Sequence, residues 1–497
     1  MNDSIFIKNG ESIELKNLPV VNYEPFCDLL VERLGGSHPE KHCVNYFGYW
    51  TGRSVIRLIA CVADDQRHDI EILTTEVIKD ECLQSISAKV NALERYEREI
   101  SEQLGLGYKG HPWMKPVRSC PDDYPFYSME GEELHEVGVG PIHAGVIEPG
   151  HFRFICNGEK ILHLEIMLGY QHRDVENLML DREMLSQRAM LAENVAGDTA
   201  VGHGCAFASV WESLCGARIS ERTTLERTLA LELERMAIHT GDLSAICGDI
   251  AYQLGNAVYG RLRTPLINFM QCWCGNRLGK FCVRPFQNNY PFTAELAAQL
   301  DGILKAYECD FEEVSNHLLH FPGALSRLER TGTVTTEQAS AIGAVGMAAR
   351  ASGLDRDIRK SHPFLGWGSA VEAEPVVKHH GDVLSRTSVR INEIRKSMAY
   401  VRALAAKLAA MPLDEAVDTA SYAPMPDRLA VSLVEGWRGE ICHCAITDSK
   451  GKLLRYKFKD PSFHNWMALA LAVRDNEISD FPICNKSFNL SYCGHDL

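Results

Sequence analysis

The sequence predicts an α+β protein, with a small N-terminal α/β domain followed by a helical bundle flanked by antiparallel β-sheet. Three observations carry this expectation. The stretch VNYFGYWTGRSVIRLIACVAD (44–64) is dense in β-branched and aromatic residues on both sides of a Thr51-Gly52 turn. From 169 to about 410, apolar residues recur mainly at helical spacing. Two further stretches, 136–167 and 429–463, alternate in the way strands do.

In chain order, 44–64 forms two paired strands. The run from Glu76 to Gln103 reads as helix, with Ile78, Leu83, Ile86, Val90 and Leu93 at steps of three to five residues. Residues 1–118 are therefore the first domain. The polar, Pro-containing run 119–135 is a connector, and 136–497 is the second domain. Within it, HFRFICNGEKILHLEIM (151–167) is a hairpin centred on Asn157-Gly158. In 223–252, Leu225, Leu229, Leu233, Met236 and Ile246 form an apolar helical stripe. Glu232 and His239, seven apart, share a face of that helix and need hydrogen-bond partners inside a bundle. The segment 381–398 is helical, and its Arg386, Arg390 and Arg395 are assigned mostly to ion pairs. Turns at Gly436 and Ser449-Lys450-Gly451 divide 429–463 into three short strands.

Composition narrows the function. A chain of 497 residues with a net charge of -15 argues against nucleic acid as the main partner. No apolar run approaches the ~18–20 residues of a membrane helix, and the N-terminus lacks the pattern of a signal peptide. The 17 cysteines are an odd number without a C-x-x-C pair, which points to free thiols in a reducing compartment. Cys272/Cys274 and Cys442/Cys444 are one residue apart and read as buried small apolar side chains.

The motifs are more specific. GPIHAGVIEPGHFRF (140–154), LGYQHRDVENLM (168–179), ENVAGDTAVGHGCAFASVWE (193–212), the core-helix string LELERMAIH…GDLSAICGD and VEGWRGE (434–440) occur in this order. Together they resemble the large subunit of energy-converting nickel-iron hydrogenases and the quinone-site subunit of respiratory complex I. ERYEREISEQLGLGYKGHP (94–112) resembles the close of complex I's small soluble subunit, here fused in front as in formate hydrogenlyase and hydrogenase-4. In the hydrogenases, the segment matching 193–212 carries R-x-C-G-x-x-C and the tail carries D-P-C-x-x-C. The matching positions here are Ala196 and Thr199, then Leu490 and Cys493. Neither a methyl nor a hydroxyl replaces a soft thiolate on nickel.

The resemblance implies a hydrogenase large-subunit fold without hydrogenase activity and no metal or other cofactor held by this chain. An iron-sulfur cluster is expected in a partner small subunit, and quinone is a possible ligand. Further partners would be antiporter-like and other membrane subunits, with this chain peripheral on the cytoplasmic face of the cell membrane. His143 and His151 would border the cleft, with Tyr170, Asp198, Thr199, His203, Phe207, Arg359 and Cys493 as further lining residues. Phe207 stands where complex I is expected to carry its quinone-binding tyrosine. Two readings remain open beside a catalytic-type subunit: a coupling subunit without redox chemistry, and quinone reduction. Asp198, between the two vacated cysteine positions, is expected to pair with Arg359 and so replace the anionic cluster.

Overall fold

Strands Lys41–Trp50 and Val55–Asp64 pair antiparallel around the predicted turn, and Asp69–Ile78 continues the sheet. Ile5–Ile7 closes its far edge, and Val20–Val21 adds a parallel pair. The computed structural model describes residues 3–36, 38–143 and 147–497.

The helix expected from Glu76 to Gln103 is confined to Glu94–Leu104. Before it come the end of the Asp69–Ile78 strand, a short strand Cys82–Gln84 and irregular chain. The misleading periodicity has a physical cause. Buried Glu97 accepts hydrogen bonds from the Ser85 and Ser87 hydroxyls, both at 2.5 Å, and from the Ile86 N–H at 2.8 Å. Those bonds fold the loop back and drop Leu83, Ile86 and Val90 into the core. Apolar spacing alone does not distinguish such a loop from a helix.

The hairpin His151–Asn157/Lys160–Met167 forms as expected but turns at Gly158-Glu159, one residue past the expected centre, and Leu134–Val139 joins it as a third strand. The bundle is centred on Glu221–Asp249, which packs on Gln253–Cys274 and Val383–Ala410. Its N-terminus is capped by Ser220, whose hydroxyl accepts from the Thr223 N–H. Strands Arg428–Glu435, Glu440–Thr447 and Leu453–Lys459 form the last sheet. Its outer edge is Ser12–Glu14, from the N-terminal end of the chain.

That crossing matters for the first 118 residues. Ile59, Cys61 and Ile72 share one apolar cluster with Leu433, Cys442 and Cys444. Glu99 binds both Arg118 and Lys457, and His42 lies 2.7 Å from Glu440. The connector, in contrast, is exposed coil from 128 to 133. Limited proteolysis is therefore expected to cut first within 119–135, and the two fragments should still co-elute on gel filtration. Early cuts within 44–110, or fragments that separate without denaturant, would contradict this arrangement.

Candidate functional site

Three segments converge where the former metal cavity was expected. They are the turn 194–199 ahead of helix Ala200–Cys215, the hairpin turn 436–439, and the tail 489–493. Arg173 ties the first to the third. It donates to the carbonyls of Asn194 at 2.6 Å, Val195 at 3.1 Å and Cys493 at 3.1 Å. Arg438 ties all three. Its Nε donates to the Asn489 carbonyl at 2.6 Å, and its two terminal nitrogens grip Asp198 at 2.6 and 2.7 Å. A further bond reaches Thr199 Oγ1 at 3.1 Å. Trp437 donates from its indole to the Asp198 carbonyl at 2.9 Å, and the Arg438 guanidinium lies 3.9 Å over that indole. The turn packs directly on the helix Gly346–Ala351: a Cβ on Gly439, whose φ is +139°, would meet Gly346 Cα at 2.6 Å.

The expected partner of Asp198 was Arg359, and this is corrected. Arg359 donates to Asp357 at 2.7 and 3.0 Å and to Glu232 at 3.3 Å. Both carboxylates are buried beside it, so its charge is already answered before Asp198 is considered. The arginine that reaches Asp198 comes instead from VEGWRGE (434–440).

Ala196, Thr199, Leu490 and Cys493 are all buried at or near this junction. The Thr199 hydroxyl faces Asp198 and Arg438. Cys493 is the single thiol among the four. Burial and the Glu148 carboxylate push it up to about 11, so it stays protonated at neutral pH. Among the described residues no group of three or more His, Cys, Asp or Glu side chains is placed to hold a metal ion. These residues do not fit a nickel-iron centre, which needs several converging thiolates.

The remaining candidates separate. His203, one turn into its helix, is part of a buried relay. Its Nε2 lies 3.1 Å from Asp460, its Nδ1 3.0 Å from His443 Nε2, and His443 Nδ1 lies 2.9 Å from the Tyr456 hydroxyl. Burial and neighbouring His203 hold His443 well below the usual imidazole range. The contacts form one continuous chain, Tyr456–His443–His203–Asp460, in which donor and acceptor roles follow from the histidine tautomers. The tail closes on this chain, since a Cβ on Gly494 would meet Asp460 Cγ at 2.8 Å. Phe207 does not line the cleft. It stacks on Trp211 and sits against Tyr456 in an apolar cluster, because one further helical turn carries it past the junction. The Tyr170 hydroxyl has only a 3.9 Å contact to Met167 Sδ. His143 packs against Phe152 and Tyr492, at the tail, whereas His151 packs against Phe126.

Behind the junction lies an ion network that the sequence reading did not foresee as a unit. Arg350 bonds Glu393 and Glu435, both at 2.7 Å, and lies 3.5 Å from Asp357. Arg235 bonds Glu232 at 3.1 Å and lies 3.5 Å from Glu393. His239 lies 2.8 Å from Glu393, and Ser397 donates to Glu232 at 2.6 Å. Glu232 and His239 thus each find bundle partners, as expected. Burial drives Glu435 up to about 7 against the pull of Arg350, while Arg350, His239 and Arg235 outweigh burial at Glu393 and hold it well below the usual range. Arg390 and Arg395 form the predicted ion pairs, with Asp242 and Glu312. Arg386 instead donates to Ser487 and to two backbone carbonyls and stacks on Phe488. Glu234 was also missed. From the central helix it accepts the Val201 N–H at 2.7 Å and the Gly202 N–H at 3.2 Å, capping the helix that carries His203.

The fold, a helical bundle with flanking antiparallel sheets around the Asp198–Arg438 junction, resembles that of a hydrogenase-related large subunit. Comparison with known proteins agrees. Residues 253–496 match the family described as "Respiratory-chain NADH dehydrogenase, 49 Kd subunit". Formate hydrogenlyase subunit 5 of Escherichia coli is 28% identical over 442 residues, covering 82% of this chain and 76% of that protein. An NADH-quinone oxidoreductase component of Roseiflexus castenholzii is 26% identical over 384 residues, covering 71% of this chain and 91% of that protein. In fold, the chain superposes with a TM-score of 0.68 and 19% identity on a chain of the membrane-bound sulfane sulfur reductase, an archaeal respiratory membrane complex. That match covers 75% of this chain and all of the other. The chain is homologous to the large subunits of energy-converting hydrogenases and to their counterpart in complex I.

Two measurements probe the junction. Asp198→Ala leaves Arg438, whose side chain is 4% exposed, without its counter-charge. The expected cost is about 2 kcal/mol, with the Asp198 side chain's 33% exposure keeping it below that of a fully buried pair. An unchanged denaturation midpoint would show that the pair closes nothing. The second measurement concerns Glu234, which burial raises from 4.5 to about 8. The folded state then holds a proton that the unfolded chain releases. The resulting stabilisation is complete below about 4.5 and is lost as pH rises through about 8. Glu234→Gln should flatten the pH dependence of stability between those limits, by at most about 1.4 kcal/mol per pH unit. Parallel wild-type and variant profiles would refute the assignment.

Proposed function

We propose that the chain is the large subunit of a membrane-associated, respiratory-type oxidoreductase complex and that its former metal site serves as a structural coupling element. The observation that carries this is the bidentate Asp198–Arg438 pair standing where thiolates and a cluster would be. An ion pair there offers no electron-accepting centre and holds 194–199, 436–439 and 489–493 in one arrangement. Electron transfer would then belong to an iron-sulfur small subunit, with antiporter-like membrane subunits as further partners and the cytoplasmic face as the docking side. No helix among the described residues is long and apolar enough to cross a membrane, so membrane attachment would come through such partners. The relatives support this reading. One is named as a formate hydrogenlyase subunit, another as part of an NADH-quinone oxidoreductase, and the fold match comes from a respiratory membrane complex.

The test is purification of the intact complex through a tag on this chain in mild detergent. Integral membrane subunits and iron should co-purify, nickel should be sub-stoichiometric, and hydrogen should not reduce a dye. One nickel per complex, or hydrogen-dependent dye reduction, sinks the proposal.

One observation favours a second reading, quinone reduction. His143 Nε2 and the Tyr492 hydroxyl are buried without a hydrogen-bond partner among the described residues, and their rings lie 6.1 Å apart. Both are able to donate to a carbonyl oxygen. If quinone binds there, Tyr492→Phe should raise the KM for a soluble quinone in the complex. An unaltered KM would rule out this donor.

A further inference from the structure

A cavity of about 410 Å³ opens at the seam between the N-terminal segment and the bundle, and no residue of the Asp198–Arg438 junction lines it. Its walls are apolar, formed by Trp113, Leu164, Ile166, Ile342, Met467 and Leu471. Its volume falls within the range of small-molecule sites, roughly 300–1,000 Å³.

The charges at its edge are unevenly answered. Glu94 is taken by Arg98 at 2.5 Å, and Glu165 by Lys115 at 2.6 Å. Two cations remain. Arg95, with a side chain 13% exposed, donates one bond to the Phe463 carbonyl at 3.0 Å, and its nearest carboxylate oxygen, on Glu94, is 3.9 Å away. Its Nε is buried without a partner among the described residues. Burial draws this guanidinium down to about 10, the sign of a charge whose desolvation its neighbours do not offset. Arg474 is exposed at the rim, also without a side-chain partner among the described residues. His163 Nε2 is a second buried nitrogen left open among the described residues. The charged lining residues, Arg95, Arg98 and Arg474 against Glu94 and Glu165, leave a local excess of one positive charge in a chain of net charge -15.

We infer that this cavity binds a small organic anion, a carboxylate or phosphate monoester on an apolar body, held by Arg95 and Arg474 with its body against Trp113, Leu164 and Met467. An anion here satisfies the open Arg95 donor and replaces the counter-charge that the protein does not supply. An apolar body removes the exposed walls from water. The ligand bridges helix Glu94–Leu104 and helix Ser462–Ala472, so its binding fastens the N-terminal segment to the bundle.

Isothermal titration calorimetry on the full chain tests this with 2-naphthoate, decanoate and phenyl phosphate, and with neutral 2-naphthamide as the uncharged isostere. At least one anion should bind at a single site, and the amide should bind at least about tenfold more weakly than naphthoate. Arg474→Glu, at an exposed position where folding is not at risk, should weaken the anion at least about tenfold. Met467→Trp should fill the cavity and abolish binding, with an unchanged circular dichroism spectrum as the control. The inference is overturned if none of the three anions binds at millimolar concentration, if the amide matches the naphthoate, or if Arg474→Glu leaves anion affinity unchanged.

Discussion

The structure depends on a buried charge balance in the helical bundle. Arg235, Arg350 and Arg359 face Glu232, Asp357, Glu393 and Glu435, all shielded from water. Three guanidinium groups against four carboxylates would leave one uncompensated negative charge in a low-dielectric interior, which is costly. Burial raises Glu435 to about 7, which eases the mismatch, while direct contact with Arg350 helps hold Glu393 well below the usual carboxylate range. The network joins elements far apart in sequence: the central helix, the helices Gly346–Ala351 and Val383–Ala410, and the strand Arg428–Glu435. Its last member, Glu435, directly precedes the turn that carries Trp437 and Arg438. The position of the junction arginine is therefore inherited from the balance behind it.

The same balance accounts for how the Asp198–Arg438 junction closes. Removing an anionic cluster leaves any arginine aimed at it without a partner, and a buried guanidinium alone is expensive. The run Ala196-Gly197-Asp198-Thr199 supplies the carboxylate that Arg438 meets. The Arg438 fork fits that carboxylate with two parallel bonds, a geometry that a lysine would not reproduce. The indole of Trp437 and the carbonyl of Asn489 occupy the remaining donors and acceptors, so the junction is closed by direct contacts from three segments.

Much of the fold was legible because its signals are local. The Asn157-Gly158 hairpin, the Thr51-Gly52 strand pair and the long apolar stripe of 223–252 each follow from residues adjacent in sequence. The failures share the opposite character. Residues 76–93 look helical until Glu97 is seen holding the loop from a distance, and the partner of Asp198 is an arginine 240 residues away. For Asp198 the sequence pointed to Arg359 alone, and nothing local marked Arg438 as its partner. Arg359 is instead held by Asp357, two residues before it, and by Glu232, which folding brings from 127 residues away. His443 was hidden for a different reason: within Cys442-His443-Cys444 the thiols are the conspicuous groups, although strand alternation sends the middle residue to the opposite face.

That alternation places strand Glu440–Thr447 between the two halves of the molecule. On one face Cys442 and Cys444, 3.7 Å apart at sulfur, accept from Asn45 Nδ2 of the N-terminal sheet at 3.6 Å each. On the other face His443 continues the relay to His203 and Asp460. At its start, Glu440 lies 2.7 Å from His42 and also binds Lys459. A displacement of the N-terminal sheet therefore acts on the same strand that positions the histidine relay, four residues beyond the junction arginine's turn. A site built for electron transfer needs its ligands held still. This strand is a member that both halves share, with polar bonds on both faces to segments far apart in the chain.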